Sequence, residues 1–326
     1  ELNKKGRWLR DGQKWLPDGS IVGEGVVSDS ASFWLFGIAA AFSDWKSLVT
    51  KYLNAEKDFA ATADTTSMQG VLTTGFGEVF CSKSALSSRL PEDLKARAKD
   101  GGERVVPRDV RFLLATIDCQ KNRFEVQITG ISANRDFYVI DRFPIRKSRR
   151  LDVDNERYPI SPHTHIDDWI QLIEDVMLKT YPLDGDPNRV MGIHHTAVDS
   201  QGLEGVTAKA YEFWRMLREN PDFPVGMQNK FTLLRGTRNL AAPRVSIIYP
   251  DSQDKGRKNA LSRGDIPVMQ VNGTMVKDQL SAMLDKKDIG GGYVHFPKWL
   301  PNWFYEEMCA EIRTPKGWEN PKRARN

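Results

Sequence analysis

Cysteine is scarce in this 326-residue chain: Cys81, Cys119 and Cys309 are odd in number, widely separated, and never form a Cys-x-x-Cys pair. That pattern argues against a disulfide framework, a zinc knuckle or a dithiol redox centre, and for reduced, buried thiols. No apolar run reaches the roughly 18–20 residues that a membrane-spanning helix needs. Residues 32–42 come to about half that length and read as core. The first residues, Glu-Leu-Asn-Lys-Lys-Gly, carry no basic-then-apolar leader, so an intracellular protein is expected. No Gly-x-x-x-x-Gly-Lys-Ser/Thr stretch occurs, which excludes ATP hydrolysis on such a phosphate-cradling loop by this polypeptide alone. Strong charge of one sign is missing too. The net charge of +4 permits a polyanionic partner without demonstrating one.

What is present is an ordinary globular composition, 40% hydrophobic and 28% charged, enough for one large core or two smaller ones. Residues 1–80 hold Trp8, Trp15, Trp34 and Trp45 among Gly and Asp turns, with one amphipathic helix expected over 45–53. Residues 82–108 turn charged and small, broken by Pro91, Gly101, Gly102 and Pro107, as a connector does. The boundary is placed near residue 105, giving regions 1–105 and 106–326.

The second region alternates strands and helices. Residues 111–118 read as a buried strand, 120–122 as a turn, and Phe124, Val126 and Ile128 as the alternating apolar side of a second strand, together an antiparallel hairpin. Residues 137–143 supply a third strand. Ile166, Trp169, Ile170, Ile173, Val176 and Met177 recur at helical spacing in a helix ending near Tyr181. Residues 191–198 form a fourth strand, Val206, Ala210, Phe213, Trp214 and Leu217 mark a second helix, and a fifth strand falls within 230–234 or 245–249. A helix over 276–284 precedes Gly290-Gly-Gly292. Three antiparallel strands, then helix, strand, helix, strand, is the order of an α/β, ribonuclease H-like mixed sheet flanked by helices.

Two of these strands end in aspartate, Asp118 and Asp199. In that order the fourth strand pairs in parallel beside the first, so the two carboxylates would emerge as neighbours. Their repulsion suits a divalent cation with hard oxygen ligands. Paired Mg2+ or Mn2+ ions about 3.5–4 Å apart would activate a water and stabilise a leaving oxygen in phosphodiester hydrolysis. Taken singly, each aspartate is as readily a turn former or cap.

Ile117-Asp-Cys-Gln120 followed by Asn122-Arg-Phe-Glu-Val126 resembles the first nuclease motif of the large terminase subunits of lambda-type phages, in which an Asp-Val-Gln strand end leads into an Arg-hydrophobic-Glu-Val strand. Ala197-Val-Asp-Ser200 with Gly202 resembles that family's second acidic motif. Gly290-Gly-Gly-Tyr-Val-His-Phe-Pro297, with Val276-Lys277 ahead of it, resembles its Gly-Tyr-x-His-Phe-Pro segment. Ser32-Phe-Trp-Leu-Phe-Gly37 and Gly77-Glu-Val-Phe80 look like the tail of its motor domain and connector. The resemblance spans nearly the whole chain. It implies a remnant of the ATPase domain and linker over 1–105 and an endonuclease domain over 106–326. It further implies a Mg2+- or Mn2+-dependent enzyme cutting double-stranded viral DNA, with Asp118 and Asp199 as catalytic metal ligands. The partners implied are the small terminase subunit, the portal protein and the ATPase portion of the large subunit, in the host cell cytoplasm. The chain departs from the family where Cys119 stands for the usual Val, and where the third carboxylate, expected just past an Arg-Asn motif, would lie beyond Asn326.

Basic residues carry the expectation of phosphate contacts: Arg142, Arg146, Lys147, Arg149 and Arg150 after the third strand, Lys255, Arg257, Lys258 and Arg263 in a polar loop, and Lys316, Lys322, Arg323 and Arg325 near the C-terminus. Any one such run is more often a solvated face. The remaining conspicuous residues take structural readings. His194 and His195 alternate across a strand, His163 and His165 cap a helix or face solvent, His295 packs, and Asp141 pairs at the surface with Arg142. Trp299, Trp303, Phe304 and Met308 form a core face. A resolvase or transposase of the same fold, or a non-catalytic assembly module that binds DNA passively, are the alternative readings.

Overall fold

The computed structural model describes residues 9–27, 36–37, 44–62, 64–78, 80, 89–250, 264–314 and 317–320. The chain divides into two compact units, residues 1–60 with 64–81, and residues 61–63 with 82–326. In the first unit, helix α1 (Trp45–Thr62) runs nine residues past the expected end and buries Leu48 and Ala55, while Trp45 stays 64% exposed. Phe76 meets Phe36 at 6.2 Å and Tyr52 edge-on at 6.1 Å.

The second unit is built on a nine-stranded mixed sheet among the described residues. Its strands are β1 (Val110–Gln120), β2 (Arg123–Ser132), β3 (Phe137–Ile145), β4 (Thr180–Leu183), β5 (Asp186–Asp199), β6 (Phe231–Thr237), β7 (Val245–Ile248), β8 (Val268–Asn272) and β9 (Val294–His295). The spatial order is β7-β8-β6-β5-β1-β2-β3-β9, with β4 against β5. β1, β2 and β3 form the expected antiparallel meander, and β5 and β6 run parallel to β1. Both segments considered for a fifth strand are strands, and β8, which the sequence reading passed over, lies between them.

The helices are α2 (Pro91–Lys95), α3 (Asp167–Ile170), α4 (Val206–Glu219), α5 (Gly273–Asp285) and α6 (Asn302–Met308). The helix expected to end near Tyr181 stops sooner: α3 passes into one π-helical turn, Ile173–Met177, and Tyr181 belongs to β4. Long-range pairing overrides local periodicity there, since Pro182 O accepts from Val106 N and Tyr181 pairs with Met191.

Strand alternation separates two cores. On one face Leu113, Ala115, Ile117 and Cys119 of β1 and Phe124, Val126 and Ile128 of β2 pack against Trp169 and the apolar stripe of α4. Trp169 stands edge-on to Phe124 at 5.3 Å, and Phe213 edge-on to Phe231 at 5.2 Å. A second cluster joins Val139, Val294 and Phe296 to Leu94 of α2, Met283 and Leu284 of α5, and Phe304 and Tyr305 of α6. Residues 91–95, read as connector, are thus packed with the sheet-bearing unit. α6 buries Phe304 and Tyr305, and Trp299 and Met308 pack against the same cluster as expected, but Trp303 turns outward, 41% exposed.

Asp141 is a correction. It is 1% exposed, not a surface partner of Arg142, and it takes Arg104 Nε at 3.2 Å, Lys179 Nζ at 3.3 Å and the Tyr181 hydroxyl at 2.9 Å. Val139 and Ile140 alternate between the two cores, and the bulge between Ile128 and Thr129 pairs Ile128 with Asp141 and Thr129 with Val139, which puts Asp141 opposite a core residue. Asp141 is held there by cations from other segments.

Candidate active site

The parallel register of β1 and β5 runs Thr116↔Ala197 and Ile117↔Val198, which sets Asp118, two residues short of the end of β1, beside Asp199, the last residue of β5. Paired residues on neighbouring strands project from the same face. That face is the open one: Thr116 and Asp118 are exposed, and Ala197 and Asp199 half-buried, whereas Ile117, Cys119 and Val198 point into the core. The two acids affect each other electrostatically. Burial pushes the Asp199 carboxyl above the usual aspartate value, the Gln201 N–H opposes that, and the Asp118 charge adds to it. Burial foremost, then both aspartates, pushes the core-facing Cys119 thiol up to about 12.

Local bonds hold the carboxylates. Gln120 Nε2 donates to Asp118 Oδ2, and the Gln201 backbone N–H donates to Asp199 Oδ1 at 3.0 Å. The turn beyond Asp199 is clipped to its neighbours: Ser200 Oγ donates to Leu234 O at 2.8 Å, Gly236 N to Gln201 Oε1 at 2.8 Å, and Thr207 Oγ1 to Ser200 O at 2.7 Å. Gly205, at φ +96°, leads into α4, and a Cβ there would lie 2.5 Å from His163 O. Only glycine allows that approach.

A third carboxylate stands in the same row. The two-residue turn Lys121-Asn122 pairs Gln120 with Arg123 and therefore Asp118 with Glu125 of β2. Glu125 is 13% exposed and neutralised by Arg123 Nε, with Arg146 at 3.9 Å. Glu125 is not among the expected site residues, although the hairpin turn and strand alternation carry the signal.

The donor set of Asp118 and Asp199 suits a hard cation such as Mg2+ or Mn2+, which one or two carboxylates hold with water and phosphate oxygens completing the shell. Among the described residues no group of three or more His, Cys, Asp or Glu gathers in a way that could hold a metal ion. The fit is therefore to a two-carboxylate site.

The basic residues expected to meet phosphate are engaged within the chain. Arg149 binds Glu174 and, at 2.7 Å, Asp175; Arg150 binds the fully buried Asp168 at 3.3 Å. Lys147 Nζ donates to Arg157 O at 3.4 Å, and Arg142 bridges to Glu307 at 3.2 Å. Lys255, Arg257, Lys258, Arg263, Lys316, Lys322, Arg323 and Arg325 lie outside the described residues, as does Cys81. His195 Nε2 lies 2.7 Å from Thr232 Oγ1, His194 packs on Phe112, and His295 stacks on Tyr138 at 4.1 Å.

A mixed α/β sheet flanked by helices, with two aspartates at the matched ends of adjacent parallel strands, defines an acid-bearing α/β protein whose site faces solvent. The sequence model of the family described as "Terminase large subunit gpA, endonuclease domain" matches residues 30–326, and the chain belongs to that family. It is 28% identical over 140 residues to the terminase large subunit of Escherichia phage lambda and 26% identical over 141 residues to that of Enterobacteria phage P21. Each alignment covers 43% of this chain and 20% of the relative. No solved structure matches the chain.

Proposed function

We propose that this chain is a metal-dependent endonuclease of a viral DNA-packaging terminase, cutting double-stranded DNA at the edge formed by Asp118 and Asp199. The observation that carries the reading is the register that sets these acids side by side at the ends of β1 and β5. The sheet is compatible with a ribonuclease H-like fold, in which residues 106–326 would form the nuclease and residues 1–105 the tail of the ATPase domain and its linker. The family supports the same activity, and the relatives' names point to packaging. On this reading the small terminase subunit, the portal protein and the ATPase portion are the partners, in the host cytoplasm.

Asp118 and Asp199 would hold Mg2+ or Mn2+, one or two ions, on the carboxylate oxygens that Gln120 and the Gln201 N–H leave uncommitted. Bound there, such ions supply an activated water and charge stabilisation at the leaving oxygen. The chain's own part is positional. The clipped Ser200–Gln201 turn fixes one Asp199 oxygen, Gln120 fixes one Asp118 oxygen, and the half-buried setting of Asp199 makes its negative charge costly, a cost that a cation would relieve. Plasmid nicking in Mn2+ tests the assignment. Asp118→Ala is expected to lose cutting without a lowered melting temperature, and unchanged nicking by that variant would remove Asp118 from the site.

A further inference from the structure

A surface cavity of about 580 Å³ lies beside this edge, lined by the Lys121-Asn122 turn, Arg150, and the 158–165 segment with Tyr158, His163 and His165. We propose that this cavity takes a backbone phosphodiester of the cut DNA strand, about three nucleotides from the bond that is cut, which rests on the endonuclease reading above.

Position comes first. Lys121 follows Asp118 by three residues, at most about 10 Å of strand, a distance that spans about three nucleotides at 3.4 Å per base of one strand. The opposite wall is tied to the same edge, because His163 O packs on Gly205 just beyond Asp199. The cavity and the acid pair are therefore two parts of one surface at one end of the sheet.

Chemistry comes second. The lining offers Lys121, Arg150 and two imidazoles, with Asn122 and Ser161 as neutral polar groups, and includes no Asp or Glu. Arg150 is held in place from behind by the buried Asp168, and its guanidinium lies 5.3 Å above the Tyr158 ring. Asp168 meets its charge, so Arg150 contributes N–H donors already fixed in place, and the unmet positive charge of the lining is that of Lys121. Lys121 is exposed in its turn and makes no ion pair among the described residues, in contrast to Arg149 with its two carboxylates. A cationic cavity without a carboxylate in its lining, beside a pair of repelling carboxylates, sorts one strand: phosphate seats in the cavity, and the acids receive a phosphate only with a cation between.

The test is duplex binding by the 326-residue chain, followed by anisotropy of a labelled 30-base-pair DNA in Ca2+ from 50 to 200 mM salt. Each phosphate contact contributes about 0.9 to the slope of log affinity on log salt, so losing one makes the fall in affinity over that range about 3.5-fold smaller. Lys121→Gln and His165→Gln are each expected to weaken binding, and Lys121→Gln to reduce the slope by about one. Lys121 is exposed and His165 makes no buried contact the core requires, so unchanged melting temperatures are expected alongside. Unaltered affinity and slope in both variants would overturn the proposal. So would weakening confined to inorganic phosphate, titrated alone, with duplex affinity intact, since the cavity would then hold a free anion. Retained cutting by Asp118→Ala, with binding still dependent on Lys121, would instead defeat the nuclease assignment and leave the phosphate site standing.

Discussion

Replacing Asp199 with Asn should make the protein more stable at neutral pH. Neighbouring strands lie about 4.8 Å apart, so side chains at one register are separated by about 5 Å. Two unit charges at that distance repel by about 0.8 kcal/mol in bulk water and about 3 kcal/mol at an effective dielectric of about 20. Asp118 is exposed, so screening brings the value to about 1 kcal/mol. Asn keeps the oxygen that accepts from Gln201 N and removes only the charge. For a unit of this size, about 1 kcal/mol raises the melting temperature by about 2–4 °C. The sign follows from linkage. The folded-state carboxyl titrates above the ordinary value of 3.8, so the native state binds more protons than the unfolded chain between those two values. Stability is therefore lost as pH rises through that window, and the loss is complete above it. Calorimetric melts at pH 7 and pH 3 should show the Asn variant more stable at pH 7 and level with the wild type at pH 3. Saturating Mn2+, at about 100 times its dissociation constant, should stabilise the wild type by about 2.7 kcal/mol and the variant by less. An Asp199→Asn protein that melts at or below the wild-type temperature at pH 7 would refute the claim that this edge carries unrelieved charge.

Trp169→Ala should cost about 3–5 kcal/mol in urea unfolding, because the fully buried indole packs on Phe124 and Phe213 and its Nε1 donates to Pro162 O at 2.8 Å. Asp141→Asn should lower the unfolding free energy in urea by about 1–3 kcal/mol, less than for a fully buried pair, since Arg104 and Lys179 both reach solvent; an unchanged urea midpoint would show that the Tyr181 hydrogen bond alone suffices. Cys119, with its thiol pushed up to about 12, should resist iodoacetamide at pH 8 in the native protein and react promptly in urea, read by mass spectrometry.

The meander of β1, β2 and β3 was legible because its signals are local: alternation over 124–128 and a turn expected over 120–122, which the pairing of Gln120 with Arg123 narrows to Lys121-Asn122. Helix α4 was equally legible from Val206, Ala210, Phe213, Trp214 and Leu217 at one spacing. The signal failed where partners are distant in sequence. β4 reads as a helix end until Met191 is known to lie opposite Tyr181, and β8 is ordinary sequence until β6 and β7 flank it. Asp141 reads as a surface charge because the groups that neutralise it come from residues 104, 179 and 181.

By itself the sequence determined the element types around the site, the two strand-end aspartates and the kinship of the chain, all of which rest on residue order over short stretches. Tertiary structure alone decided that Glu125 completes a row of three carboxylates, that Arg149 and Arg150 are already paired, and that Lys121 shares a cavity with His163 and His165. Those are statements about which side chains share a face and which charges are already met, and both depend on register between segments that the chain brings together only when folded.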